Sequence, residues 1–205
     1  IDDKTREQIY RFVEVPSMPS GMDVLIGEML YNFRCCLDHL IWQLVLSEGN
    51  IPNTRNEFPI FSDPIRYNAE KGDKLRGVSG AVVAAIDTLQ PCNSTGPNDY
   101  WKHLWELQVL SNTDKHRHLL LNRRALGKIL RMYGFFGSHV PKGRYLNVPV
   151  EKGAVFFRGE LDVDMNVKPT IDVLFSNAPP SIRDDLPVLN IVSLIHGSVD
   201  EVFRR

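Results

Sequence analysis

Between Met22 and Ser47 the residues Leu30, Phe33, Leu37, Leu40 and Leu44 recur at spacings of three and four, which predicts a long amphipathic helix stopped by Gly49-Asn50. Before it, bulky residues alternate from Glu7 to Val15 and stop at Pro16, the pattern of a strand. Residues 50–78, punctuated by Pro52, Pro59, Pro64, Gly72 and Gly77, read as loop, and a short helix is expected over Gly80–Leu89, ahead of Pro91. A second long helix is expected over Asn98–Leu121, with Tyr100, His103, Leu107, Leu110, Asp114, Arg117 and Leu121 on one stripe. After Arg124 the period falls from 3.6 to 2. Strands are expected over Ile129–Phe136, Tyr145–Val150, Val155–Val163 and Thr170–Phe175. Val188, Val192, Ile195, Val199 and Val202 then mark a closing helix over Leu186–Phe203.

The pattern predicts an α+β protein forming a single domain over residues 1–205. Its bundle-like helical half, two long antiparallel helices and a short one, covers about 20–122; an antiparallel sheet and the C-terminal helix cover about 123–205.

Both long helices carry ions where the pattern expects Leu. Arg34 and Asp38 lie four apart on a face with Tyr31, Ile41 and Val45, while Asp114 and Arg117 interrupt the stripe between Leu110 and Leu121, beside His116. Charge on a buried face is costly unless paired. The economical arrangement pairs Arg34 with Asp114 and Arg117 with Asp38. Such a cluster is a structural network that sets helix register, an active or ligand site, or a set of charges exposed at a protein partner surface.

Composition narrows the function classes. The chain has 205 residues, 43% of them hydrophobic, with 24 Lys and Arg against 25 Asp and Glu, so it does not coat nucleic acid or membrane by bulk charge. Yet Lys115 to Val150 holds eight basic residues and no acidic one, leaving 16 basic against 25 acidic elsewhere. Within that run Lys115, Arg123, Arg124, Lys128 and Arg131 are candidate nucleic-acid contacts, with Tyr133, Phe135, Phe136 and Tyr145 interleaved as stacking groups or as strand core. Three cysteines, two of them adjacent (Cys35, Cys36), fit reduced thiols. No basic-then-apolar leader opens the chain and no apolar run approaches ~20 residues, so a cytoplasmic protein with no membrane partner is expected. P-loop, nucleophile-elbow and dinucleotide fingerprints are missing, as is any Cys-x2-Cys pair, and no cofactor is expected.

Two resemblances follow from short motifs. Arg34-Cys-Cys-Leu-Asp-His39 resembles the Arg-x4-6-His signature of the HEPN superfamily, helical-bundle proteins that often act as metal-independent RNases. The resemblance implies RNA as partner and a homodimer that brings Arg and His of two protomers together. His39 would be the acid or base toward a ribose 2′-hydroxyl, and Arg34 would steady phosphate charge. Asp38, Asp114, His116 and Arg117 would then orient that pair or bind phosphate. Gly27-Glu28, Arg34 to Leu40, Phe58-Pro-Ile-Phe61, Leu89-Gln-Pro91 and Asp114-Lys-His-Arg117 resemble a family of uncharacterised bacterial and phage proteins over about 20–125.

The principal alternative to an RNase is a non-catalytic interaction module in which the same charges lock the helices. A further alternative is a DinB-like metal-dependent hydrolase using His39 and His116. His116 and His118 lie about 200° apart on a helix and cannot share an ion there.

Overall fold

The computed structural model describes residues 7–15, 17–93, 101–116, 119, 121–126, 142–145, 148–160, 170–176, 182 and 186–205. The chain divides into two compact units, one of residues 1–20 and 121–176, the other of residues 21–120 and 177–205. The fold is α+β, with the N-terminal strand assigned to the sheet unit and the C-terminal helix to the helical unit.

The helical unit contains α1 (Met22–Ser47), α2 (Pro64–Lys74), α3 (Gly80–Thr88), α4 (Lys102–His116) and α5 (Val188–Arg204). Helix α1 buries Ile26, Leu30, Leu37, Ile41 and Val45, with Arg34 inside the same stripe. It stops where expected: Gly49 adopts φ 74°, a left-handed conformation that glycine accepts without a Cβ penalty. The amide groups of Gly49 and Asn50 then bond back to Leu46 and Val45, closing the last turn. Helices α4 and α5 pack together and each packs on α1, which covers the apolar stripe of α5 at Val188, Ile191, Val192, Ile195, Val199 and Val202. On α4 the expected stripe is buried at His103, Leu107 and Leu110, and His103 Nδ1 meets Glu106 Oε2 at 2.7 Å.

Two expectations about the helices are corrected. Residues 64–74 form α2 rather than loop: Pro64 occupies the first turn, where its missing N–H costs nothing, and Asp63 caps the helix by accepting from the Ile65 amide at 2.8 Å. The carbonyls of Lys74 and Arg76 receive the side-chain amide of buried Asn56. Helix α4 does not reach Leu121. It is described to His116, and Leu121 instead opens a strand.

The sheet unit has β1 (Gln8–Arg11), β2 (Leu121–Leu126), β3 (Lys142–Tyr145), β4 (Val148–Pro149), β5 (Val155–Glu160) and β6 (Thr170–Phe175). They form two three-stranded sheets, β1-β5-β3 and β4-β2-β6, rather than one, and every pair is antiparallel. In the middle strand β5 the successive residues Phe156 and Phe157 are both buried, as two covered faces require. They join Phe12 and Val150 in a small core, with Tyr10 against both rings. The expected strand 129–136 lies outside the described residues. No described helix is long and apolar enough to cross a membrane.

Candidate functional site

Arg34 is the centre of the site. It sits on the buried face of α1 because its neighbours one turn away, Leu30 and Leu37, are fully buried. Its side chain is only 9% exposed, and among the described residues Nη2 makes its polar contacts: 2.9 Å to Asp38 Oδ1, 3.8 Å to Glu57 Oε2 and a 2.7 Å hydrogen bond to the Phe58 carbonyl. Nη1 is buried and has no hydrogen-bond partner among the described residues. Leaving a charged donor unspent in the interior is unfavourable, and such groups mark sites where something else binds or moves.

Around Arg34 lies a cavity of about 380 Å³, within the size class of small-molecule pockets. The segment Glu57–Asp63 and helix α2 supply one wall, and Trp105, Gln108, Asn112 and Lys115 of α4 supply another. Most of its charges neutralise one another. Glu57 bonds Lys74, Glu70 meets Arg66 at 3.2 Å, and Lys74 also lies 3.7 Å from Glu70.

Asp38 is the group with a chemical bias. Its Oδ1 accepts from the Phe58 amide at 2.9 Å and from Arg34. Burial nevertheless pushes its carboxyl above the ordinary carboxylate range; Arg34, the Phe58 amide and Lys115 oppose the shift, and Glu57 reinforces it. A carboxylate with raised proton affinity beside a partly unspent guanidinium can accept a proton next to a bound oxyanion.

Within one chain Arg34 and His39 face different directions. His39 is exposed, lies about 140° around the helix from Arg34, and does not line the cavity; Asp38 lines it instead. Arg34 pairs with Asp38 and Glu57 rather than with Asp114 as expected, because Asp38 stands one turn along the same helix and the 57–63 segment brings Glu57 to it. Asp114 lies against Gly27: a Cβ on that glycine would stand 2.5 Å from Asp114 Oδ2. Near them is a second cavity of about 320 Å³ that Asp23, Glu28 and Tyr31 also line. Lys115 and His116 are exposed at the end of α4, and of the two only Lys115 lines the Arg34 cavity.

Arg117, Lys128 and Arg131 lie outside the described residues, as do Tyr133, Phe135 and Phe136. Arg123 and Arg124 fall on β2, opposite Val173 and Asp172 of β6. Among the described residues no three His, Cys, Asp or Glu side chains converge as a metal site.

Composition and periodicity missed Glu57, Arg66, Glu70 and Lys74, which enter through the unexpected helix α2 and the segment before it. Trp105, Gln108 and Asn112 were legible in principle, because spacings of three, four and three place them on one face of α4 with Lys115, which the basic run had singled out. The short motifs that sequence resemblance had singled out meet one another. Arg34 and Asp38 bond to Phe58, Gln90 Nε2 donates to the Pro59 carbonyl at 2.8 Å, and Gly27 touches Asp114.

A separate polar cluster ties α2 to α3. The Tyr67 hydroxyl donates to Asp87 Oδ1 at 2.5 Å, and Lys71 Nζ donates to the same oxygen at 3.0 Å. Burial raises the Tyr67 pKa, with Asp87 adding to it. Burial also works to raise Asp87, but bonds from Tyr67 and Lys71 outweigh it and leave that carboxyl below its usual range. None of these three lines the cavity.

No protein-family model, curated protein or solved structure matches the chain.

Proposed function

We propose that the Arg34 cavity takes one nucleotide unit of RNA and cleaves its phosphodiester without a metal, with Asp38 rather than His39 as the proton acceptor. The observation that carries this reading is the side chain of Arg34, nine-tenths buried at a cavity that also holds a carboxylate of raised proton affinity, with Nη1 unspent. Asp38 removes the 2′-hydroxyl proton, O2′ bonds to phosphorus, and the bond from phosphorus to O5′ breaks. Lys115, which is exposed and lines the same cavity, gives a proton to the leaving 5′-oxygen. Arg34 stabilises the charge that builds on the phosphoryl oxygens as the new bond forms.

A short RNA incubated with the protein in EDTA tests the proposal. The expected products are 2′,3′-cyclic phosphate and 5′-hydroxyl ends, formed more slowly by Arg34→Lys. A protein that neither binds nor cuts RNA refutes it.

A second reading has its own observation. Arg34 and Asp38 clasp the carbonyl and amide of the same residue, Phe58, which suits a module whose ions hold the 57–63 segment on α1. Unaltered folding stability in Arg34→Ala would remove that reading.

A further inference from the structure

We infer that the α4 wall of the Arg34 cavity selects the base of the nucleotide, that Gln108 and Asn112 are the selecting residues, and that the base is adenine. The inference rests on the reading that a nucleotide occupies this cavity. Trp105, Gln108, Asn112 and Lys115 share one helical face, and all four line the space that Arg34 lines from α1. Across that space the carboxylates and most cations already hold one another: Glu57 with Lys74, Glu70 with Arg66, and Asp63 with the start of α2. The amides of Gln108 and Asn112 make no hydrogen bond among the described residues.

Unspent groups define what a ligand can be recognised by. A side-chain amide presents one donor and one acceptor side by side, which matches the N6 amine and N7 acceptor of adenine. Guanine is read best by Arg or Lys and cytosine by a carboxylate; here Arg66 with Glu70 and Lys74 with Glu57 hold one another, while Arg34 and Lys115 are left for phosphate. Trp105 supplies a flat indole at the same wall, on which a base stacks. Phosphate then falls to Arg34 and Lys115, the cations of the same lining.

The adenine nucleotide comes from an RNA chain or from a free mononucleotide, and binding separates these sources. Calorimetric titrations with the hexamers rA6, rC6 and rU6 and with adenosine 5′-monophosphate, in EDTA, form the test. The wild type is expected to bind rA6 about tenfold tighter than rC6 or rU6, the discrimination one good amide–adenine pair supplies. Asn112→Leu, at an exposed position, should bring the three hexamers to within about twofold of one another. Gln108→Leu should act in the same direction. Adenosine 5′-monophosphate binding as tightly as rA6 supports the same adenine site with a free nucleotide as its occupant. Equal affinity of the wild type for all three hexamers overturns base selection and leaves the RNA reading standing. Failure of every hexamer and of the mononucleotide to bind overturns both.

Discussion

Arg34 and Phe58 are joined through a single side-chain nitrogen: Nη2 donates to the Phe58 carbonyl at 2.7 Å, while the amide of the same Phe58 is held by Asp38 one helical turn further on. The backbone N–H and C=O of Phe58 thus close a ring with an i,i+4 ion pair on α1. That ring places Glu57 near Arg34 and makes one side of the cavity. It also leaves Nη1 idle, which a purely structural clasp has no reason to do.

Removing the guanidinium should be costly. Arg34→Ala leaves Asp38 partly buried without its cation and the Phe58 carbonyl without its donor. A loss of about 3–5 kcal/mol is expected, as for one partner taken from a buried ion pair. Urea denaturation of wild type and variant measures it. A loss below about 1 kcal/mol would place the interaction among exposed surface pairs instead.

Gly27 and Asp114 give a test of helix approach that is independent of the cavity. In an ordinary helix Gly→Ala is stabilising by up to about 1 kcal/mol, but here the new methyl meets the Asp114 carboxylate. Gly27→Ala should therefore destabilise by about 1–3 kcal/mol, the usual cost of overpacking. Asp114→Ala should relieve much of it. A double-mutant cycle reads the coupling, and additive effects would mean that α1 and α4 do not meet there.

Stability should depend on pH with opposite signs at Asp38 and Asp87. Asp38 has a raised pKa in the folded chain, so its contribution is full below the unfolded value of ~3.9 and is lost as pH rises through the folded value. The stability of wild type minus Asp38→Asn should fall with rising pH across that window. Asp87 has a depressed pKa, so its contribution is present above ~3.9 and is lost as pH falls through the folded value. Wild type minus Asp87→Asn should accordingly shrink on acidification. Parallel slopes for the two variants would contradict these environments.

Long periodic segments were legible because burial enforces them. Helix α1 runs Met22–Ser47 as its apolar spacing requires, and β6 occupies Thr170–Phe175. Helix α2 was hidden because Pro64 was read as a breaker when it opens a helix capped by Asp63, and because polar α2 buries only Tyr67. The limit of α4 was hidden because Leu121, in phase with the helical stripe, is equally apolar as the first residue of β2. At the candidate site, charge on an apolar stripe singled out Arg34 and Asp38, which meet at 2.9 Å and line one cavity. Periodicity alone could not choose their partners: Glu57 reaches Arg34 from a segment without any repeat, and Arg34 reaches Asp38 within its own helix.

The pH dependence of metal-free RNA cleavage tests most directly whether Asp38 works with Arg34 in this cavity. The rate should rise with pH through the raised carboxylate range of Asp38 and then level off, with the same profile in His39→Ala, whose altered side chain is exposed. Asp38→Asn should lower the plateau at least about 100-fold, the lower range for a lost general base. A rising limb near ~6.5, the ordinary histidine value, that vanishes in His39→Ala would contradict the assignment to Asp38.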